Sequence, residues 1–462
     1  MQRTLLFKIL IVIALTLVIC IPLSMIHFTL SERAAFREQA VASIAADSVR
    51  EQTITGPILV IRYSDTYDET VTVPDGAKTK TEIVTRTESR SYLVFPNELA
   101  VDSSIQTDRR YRGIHQVLVY GGKHFIAGDF VLPPMNELPR ASAKSKLALG
   151  EASIALGIAD VRGIRNIPKI DWNGDIIEFE QSTGLAALAS GLHATLPALT
   201  LAEPARIKFS FALGLDGIER QHFVPVGKSN KFSVKSNWPH PQFSGDFLPS
   251  PSERTINETG FSANWNISSL STMAQKQLRS AEEATALTAA GAPRPTAGVD
   301  TFSIGFIEPV NVYSLAERAT KYGLLFVALT FAAFFVFEIM KRLPIHPVQY
   351  LLVGLALVLF FLLLVSLSEH IAFAWAYLAA SAGCIVLIGF YLSFVLRDWH
   401  RGMGFGVALT LLYGALYGLL MSENNALVLG SMLLFVVLAA VMVATRKVDW
   451  YQVGKAEPAA AV

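Results

Sequence analysis

The sequence predicts an integral membrane protein, an α-helical bundle of six transmembrane helices with a large all-β extramembrane domain inserted between the first and second. Apolar segments of about 20 residues, the length that crosses a bilayer as a helix, occur once near the N-terminus and five times in succession near the C-terminus. The region between them has short runs in which β-branched and aromatic residues alternate with polar ones, a pattern typical of antiparallel strands. With 52% hydrophobic and 17% charged residues among 462, the chain is too apolar for an ordinary soluble protein.

Residues 1–30 are predicted to form an N-terminal membrane anchor. The apolar run from Phe7 to Leu30 begins beside Arg3 and Lys8, which places the N-terminus inside. The alternative, a cleaved signal peptide, would have an apolar region of about 7 to 15 residues. This run is longer, which favours an uncleaved anchor, and Pro22 is tolerated there as a kink.

Residues 321–445 are predicted to form five membrane helices. Lys and Arg occur in the turns at alternate ends of these helices, whereas the turns Ser368 to His370 and Ser422 to Asn425 contain neither. Because positive residues in short loops stay cytoplasmic, both chain termini are predicted inside, with residues 31–320 periplasmic and the tail 446–462 cytoplasmic. The predicted spans are Tyr322 to Met340, Val348 to Leu367, Ala372 to Leu396, Met403 to Met421 and Ala426 to Ala444.

The extramembrane domain is predicted to be an antiparallel, sandwich-like β domain over residues 56–313. A stalk helix over 31–51, capped by Ser31, precedes it, and Asn173-Gly174 is a strong hairpin signal. Two stretches interrupt the strands: Gly184 to Pro197, expected to be a loop or short helix, and 273–299, expected to be an exposed, flexible insertion. Cys20 and Cys384 lie in predicted spans, so no disulfide framework holds this domain.

The segment Ser236 to Pro249 (SNWPHPQFSGDFLP) is the candidate partner-binding site. Its prolines fix backbone dihedrals, so the loop can be rigid without regular hydrogen bonds, and large aromatic side chains suit binding interfaces. The sequence therefore predicts a loop with accessible aromatic groups; the alternative is that Trp238 and the phenylalanines plug one end of the β core. The candidate residues are Trp238, His240, Phe243, Asp246 and Phe247.

Four polar residues form the candidate membrane site: Glu338, His346, Glu369 and His370. Ionisable groups at membrane depth are functional candidates because burying them unpaired is costly. The alternative for Glu338 is an interfacial ion pair with Lys341 and Arg342. Glu369 and His370 lie in a short outer turn that water reaches, and His346 lies in a stiff, proline-flanked inner turn.

The remaining sequence signals argue against several functions. No P-loop, GxSxG, HExxH or dinucleotide fingerprint stands in a suitable context, and a net charge of +1 without a basic face gives no sign of a nucleic-acid partner. We therefore expect a non-enzymatic protein without cofactor or metal, whose partners are membrane lipid and a periplasmic or inner-membrane protein. The alternative is a transporter or membrane-embedded enzyme that uses Glu369, His370 and Glu338.

Several long segments of the chain are specific enough to indicate a family. They are GPILVI at Gly56, IADVRGI at Ile158, SNWPHPQFSGDFLP at Ser236, GFSANW at Gly260, ERATKYG at Glu317, FFVFE at Phe334, HPVQYLLVGLALVLFFLLLVSLSEH at His346 and VDWY at Val448. In these segments, and over nearly its whole length, the chain resembles the CreD family of bacterial inner-membrane proteins. The resemblance implies an inner-membrane protein that supports cell envelope integrity, is induced with the CreBC two-component system, and is linked to colicin tolerance and the β-lactam and envelope stress response. It supplies no catalytic residues, and the chain departs from the family pattern at 273–299 and after Tyr451.

Overall fold

The structure is a computed structural model that describes residues 2–47, 49–75, 78–112, 115–288, 298–306, 312–341, 345–395, 399–422 and 425–446. The chain divides into two compact units. The membrane unit comprises Met1–Gln39 and Val310–Val462, and the β unit comprises Ala40–Pro309. Residues 289–297 of the predicted insertion, residues 342–344 of the inner turn and the tail from 447 lie outside the described residues.

The described residues contain seven α-helices, six of which are long and apolar enough to cross a membrane. This confirms the predicted arrangement of one N-terminal and five C-terminal spans. The helices are α1 (Gln2–Asp47), α2 (Ala274–Thr288), α3 (Val312–Lys341), α4 (Pro347–Ser368), α5 (Phe373–Val395), α6 (Trp399–Met421) and α7 (Ala426–Thr445).

The first helix differs from its prediction in one respect. It runs without interruption from Gln2 to Asp47, through Pro22 and through the predicted start of a separate stalk helix. Ser31 is therefore not a cap. Its hydroxyl donates to the carbonyl of Phe28 at 2.7 Å, a bond that a serine can make inside a helix without ending it.

The membrane unit is held by aromatic packing among its helices. Phe326 on α3 lies 4.6 Å from Tyr413 on α6, centroid to centroid, and Phe360 on α4 lies at the same distance from Tyr413. Close approach of α4 to its neighbours depends on Gly354, where an added Cβ would lie 2.8 Å from Phe331 and 2.9 Å from Ile19. A larger residue at this position would force the side chains of Phe331 and Ile19 to shift.

The described part of the β unit contains sixteen strands. They are β1 (Gln52–Asp75), β2 (Lys78–Val94), β3 (Glu98–Arg112), β4 (His115–Leu132), β5 (Lys146–Ile158), β6 (Lys169–Trp172), β7 (Asp175–Glu178), β8 (Glu180–Gln181), β9 (Gly191–Thr195), β10 (Ala205–Ile218), β11 (Arg220–Val224), β12 (Ser229–Ser236), β13 (Pro241–Gly245), β14 (Arg254–Asn257), β15 (Gly260–Ser268) and β16 (Phe302–Phe306). The predicted Asn173-Gly174 hairpin joins β6 to β7, with both turn residues at positive φ.

These strands form two eight-stranded sheets. Sheet 1 has the order β13-β16-β11-β1-β5-β9-β8, with β2 paired to β1, and sheet 2 has the order β14-β15-β12-β3-β4-β10-β6-β7. The two sheets share one core, since Phe232 of sheet 2 lies 5.5 Å from Phe223 and 4.9 Å from Phe302 of sheet 1, centroid to centroid. The predicted sandwich-like domain is confirmed.

The sheets are mixed rather than purely antiparallel. β1 runs parallel to β11, and β3 runs parallel to β12. Antiparallel neighbours can be joined by a short hairpin, but parallel neighbours need a long crossover. The strand signals in the sequence are local, so they do not reveal pairs that lie more than a hundred residues apart.

Two segments were expected to lie outside the strands and the β core, but the structure places them in a strand and in the core. Residues 191–195, within the predicted loop, form β9 against β5. The insertion begins with α2, whose Ala274 and Leu278 are buried in the β core, so the expectation of an exposed segment is wrong for this part. The composition of this segment, rich in small and helix-forming residues, is typical of a linker. In the structure, however, one face of α2 packs on the β core.

Candidate functional site

The first aromatic residue of the predicted loop, Trp238, lies in the β core. Trp238 is only 8% exposed, and its indole Nε1 donates to the carbonyl of His240 at 3.1 Å. The Arg109 guanidinium lies 5.8 Å from the centroid of the indole ring, within the range of a cation–π contact. The expectation that Trp238 is accessible is therefore wrong, and the alternative, a plug of the core, describes its position.

Phe243 and Phe247 are half-buried and pack on the same core. Phe243 lies in the edge strand β13, opposite Ile304, with its ring edge-on to Trp265 at 5.6 Å. The segment is thus partly a hydrogen-bonded strand rather than an irregular loop. Pro241 fits because it is the first residue of an edge strand, a position at which a missing N–H is tolerated.

The polar members of this segment are exposed and separate. His240 is exposed, and the Asp246 carboxylate accepts from the backbone N–H of Thr301 at 2.9 Å. This contact ties the end of β13 to the start of β16. Among the described residues, no three His, Cys, Asp or Glu side chains are grouped to hold a metal ion.

In the membrane unit, Glu338 is the centre of a buried polar contact. Its side chain on α3 is 6% exposed and lies 2.6 Å from the Lys8 ammonium of α1. Tyr350 of α4 donates to its second oxygen at 2.8 Å. The structure pairs Glu338 with Lys8, 330 residues away in sequence. The side chains of Lys341 and Arg342, the alternative partners in the sequence, lie outside the described residues. One carboxylate thereby joins three helices.

The other three candidate membrane residues lie at the ends of α4 or in the turn that follows it. His346 is the N-cap that precedes α4, and its Nδ1 accepts from the N–H of Val348 at 3.3 Å. Glu369 follows α4 and lies 3.9 Å from Arg33 of α1, while His370 beside it is exposed. Glu369 and His370 lie together in the turn after α4. Glu338 lies near the end of α3, and His346 lies just before α4.

The sequence did not reveal a second polar chain inside the membrane unit. Tyr377 donates to the carbonyl of Tyr413 at 2.7 Å. Tyr413 donates to the Cys384 sulfur at 3.0 Å, and that thiol donates to the carbonyl of Ala356 at 3.3 Å. These bonds connect α4, α5 and α6, and the lone tyrosines and cysteine in apolar runs give no local signal of them.

The β unit also contains a buried histidine that the sequence did not reveal as notable. His124 on β4 is 1% exposed, and its Nδ1 lies 2.8 Å from the Ser103 hydroxyl. Its Nε2 has no hydrogen-bond partner in the described structure. Burial lowers the pKa of His124 to about 4, because the charged imidazolium would lose its hydration.

On the exposed face of sheet 2, four adjacent strands form a shallow depression of about 590 Å³. Its floor contains the small residues Ala212 and Gly214, and Phe125 beside them is 50% exposed. The exposed Lys123 and Lys235 lie on opposite sides of Ser104 in one row of the sheet. This arrangement can accommodate acidic groups of a partner, and it was not visible in sequence because β3, β4, β10 and β12 are far apart in the chain.

Comparison with solved structures gives no further fold assignment. The chain aligns with an M1 zinc metallopeptidase from Deinococcus radiodurans at a TM-score of 0.19 and 9% identity, over 37% of this chain and 38% of that chain. A second structure of that peptidase gives a TM-score of 0.18 at 11% identity, over the same shares of both chains. These scores are too low to establish a common fold.

Comparison with protein families and curated proteins shows the family to which the chain belongs. Residues 4–451 match the family described as Inner membrane protein CreD. The chain is 35% identical over 435 residues to the Inner membrane protein CreD of Escherichia coli (strain K12), an alignment that covers 94% of this chain and 91% of that protein. This extent of similarity confirms the resemblance and a multi-pass inner-membrane location. The chain belongs to the CreD family of inner-membrane proteins.

Proposed function

We propose that this chain supports cell envelope integrity as a non-enzymatic inner-membrane protein, induced with the CreBC two-component system and linked to colicin tolerance and the β-lactam and envelope stress response. Its membership of the CreD family supports this role. In this account the β unit binds a periplasmic or inner-membrane protein, and the helices anchor it in membrane lipid.

The proposed orientation places both termini in the cytoplasm and residues 31–320 in the periplasm. It is supported by the basic residues at alternate ends of the spans, such as Arg401 and Arg446, since such residues in short loops favour the cytoplasmic side. In this orientation Arg318 and Lys321 lie at the periplasmic end of the second span. They do not contradict the orientation, because long domains are translocated largely regardless of charge.

The observation that carries the non-enzymatic proposal is the contact of the Glu338 carboxylate with Lys8 and Tyr350. Ionisable groups in a transport pathway or membrane active site must be accessible to a substrate or proton. This carboxylate is buried, and its two oxygens bond to two neighbouring helices. Glu369 has an ion-pair partner in Arg33, so helix association accounts for both acidic groups.

We place the partner contact on the exposed face of sheet 2. Lys123 and Lys235 are exposed there beside the half-exposed Phe125, which combines charge with an apolar contact as protein interfaces do. His240 and Asp246 offer further exposed polar groups in the β unit. A partner with acidic contact groups fits this surface best.

Complementation of an envelope-stress phenotype in a deletion strain tests the proposal. The double variant Lys123→Glu/Lys235→Glu should lose complementation at normal abundance, because it reverses the charge of the contact surface. The matched control Lys208→Glu/Lys231→Glu also exchanges two lysines for glutamates on sheet 2 but outside the depression, and it should complement. Glu369→Gln and His370→Ala should complement as well.

The transporter or membrane-enzyme alternative predicts the opposite pattern. Glu369→Gln or His370→Ala would then abolish complementation at unchanged protein level, and the lysine variants would be neutral. Immunoblots of the membrane fraction keep loss of function separate from loss of protein. That outcome would refute the non-enzymatic proposal.

A further inference from the structure

β1 and β2 form a hairpin that extends beyond the rest of sheet 1. The two strands pair in register from Leu59 opposite Val94 to Asp75 opposite Lys78. The neighbouring strand β5 stops pairing with β1 at Thr66, opposite Lys146. Beyond that point the hairpin is a two-stranded arm, and an isolated two-stranded hairpin is only marginally stable in water.

The outer edge of β2 is open. Among the described strands, β2 has a ladder with β1 and with none of the others, and residues 81–89 are all exposed. The segment is rich in β-branched residues, and Ile83 is 73% exposed. An open edge of this kind is a template for another strand, so its side chains decide which strand it fits.

We propose that β2 pairs in antiparallel fashion with β2 of a second copy of this chain, with Val84 on the two-fold axis. In this register Glu82 of each copy lies opposite Arg86 of the other, and the dimer therefore has two complementary charge pairs. Opposite charges directly across an antiparallel pair stabilise it. On the other face, Ile83 lies opposite Thr85 and Thr81 opposite Thr87, which are pairs of β-branched residues.

Other registers are less favourable. A one-residue slip would turn one copy's side chains to the opposite face. A two-residue slip in one direction places Glu82 opposite Glu88, and in the other direction it places Glu82 opposite Val84. Four-residue slips place Glu82 opposite Glu82 or Arg86 opposite Arg86. The register centred on Val84 thus pairs these charges with opposite sign.

The outer edge of β1, unlike that of β2, has features that disfavour pairing with a second copy. Beyond Thr66 the sequence of β1 contains Asp68, Glu69 and Asp75 and no basic residue, with Pro74 near its end. Like charges disfavour self-pairing, and a proline removes a ladder hydrogen bond. Such features protect an edge strand from pairing. Residues 81–89 of β2 lack them, since they contain no proline and have charges of both signs. The second copy is therefore assigned to β2.

Cysteine cross-linking of the full-length protein in membranes tests the pairing. Val84→Cys places two thiols directly opposite, with Cα atoms about 4.5–5.5 Å apart, within the range of about 4.4–6.8 Å that a disulfide spans. Thr87→Cys is the matched control on the same exposed strand. Its two thiols would lie six residues apart along the dimer ladder, about 20 Å at 3.4 Å per residue.

Copper phenanthroline should convert most of the Val84→Cys variant into a covalent dimer on non-reducing gels, with at least a several-fold lower yield for Thr87→Cys. The wild-type chain, which retains Cys20 and Cys384, measures the background. Equal yields for both variants, or a monomer for Val84→Cys together with a monomeric mass in detergent by light scattering, would overturn the proposal.

Charge exchange tests the register independently. Glu82→Arg in the Val84→Cys background places two arginines opposite each other and should reduce the cross-linked fraction several-fold, and adding Arg86→Glu should restore it. Arg86 also contacts Glu69 of its own chain at 2.5 Å, so the restoring variant is compared with Val84→Cys/Arg86→Glu as well. If Glu82→Arg leaves the cross-linked fraction unchanged, the proposed register is wrong.

Discussion

The ammonium of Lys8 on the first membrane helix lies 2.6 Å from the buried carboxylate of Glu338 on α3. Tyr350 on α4 binds the second oxygen of the same carboxylate. A charge of this kind is tolerated near membrane depth when it is paired, so the contact specifies which helices associate. The N-terminal helix is thereby a structural component of the membrane unit.

The first prediction concerns this ion pair. Lys8→Met should lower the melting temperature of the purified full-length protein, because it leaves the Glu338 carboxylate buried without its counter-charge. Adding Glu338→Gln should recover part of the loss, with a coupling of roughly 0.5–3 kcal/mol between the two sites. Lys321→Met is the control, since Lys321 and Glu317 form an exposed pair of the kind that contributes little. Additive effects of Lys8→Met and Glu338→Gln would contradict the coupling.

The second prediction concerns Trp238. Because the indole is buried in the β core, Trp238→Ala should destabilise the β unit by about 3–5 kcal/mol. His240→Ala, two residues away and exposed, should change stability by about 0.5 kcal/mol or less. Thermal melting of the full-length variants followed by near-ultraviolet circular dichroism measures both. An unchanged melting temperature for Trp238→Ala, with loss of complementation, would restore the original expectation of an interface residue.

The third prediction concerns pH. The folded-state pKa of His124 is lowered to about 4, below the value of about 6.5 for an unperturbed histidine. Between these values the unfolded chain binds more protons than the folded chain, so stability falls as the pH decreases from 6.5 towards 4. The total loss from this group is on the order of 3 kcal/mol.

His124→Gln removes this titration, so its stability should vary less with pH over the same range than that of the wild-type protein. His240→Gln, at an exposed site, should keep the wild-type slope. Chemical denaturation at several pH values between 4 and 7 provides the comparison. Equal slopes for His124→Gln and the wild-type protein would show that His124 is not the group responsible.

Long apolar runs made the membrane architecture predictable from sequence, because the length and composition of a span are local properties. α4 and α5 illustrate this, since each of their bounds differs by one residue from the predicted one. The extent of α1 was less predictable. Ser31 resembles a helix cap by residue type, but its hydroxyl bonds back to the preceding turn.

The candidate sites were less predictable, because they depend on contacts between distant residues. Glu338 was identified as polar and membrane-embedded, yet its partner Lys8 lies at the other end of the chain. Trp238 was identified as a large aromatic residue among prolines, a pattern that fits an exposed loop and a core plug equally well. The fold decides between them, because β13 pairs with β16 and brings the segment onto the core.

The proposed function depends most directly on the location of the β unit in the periplasm, and thiol labelling in cells measures that location. Thr87→Cys lies on the exposed part of β2, and Arg446→Cys lies at the exposed C-terminal end of α7. A membrane-impermeant maleimide, applied to cells with a permeabilised outer membrane and an intact inner membrane, should label Thr87→Cys and should label Arg446→Cys only after the inner membrane is disrupted. Labelling of Arg446→Cys in intact cells, with Thr87→Cys protected until disruption, would contradict the proposed orientation and the periplasmic function that rests on it.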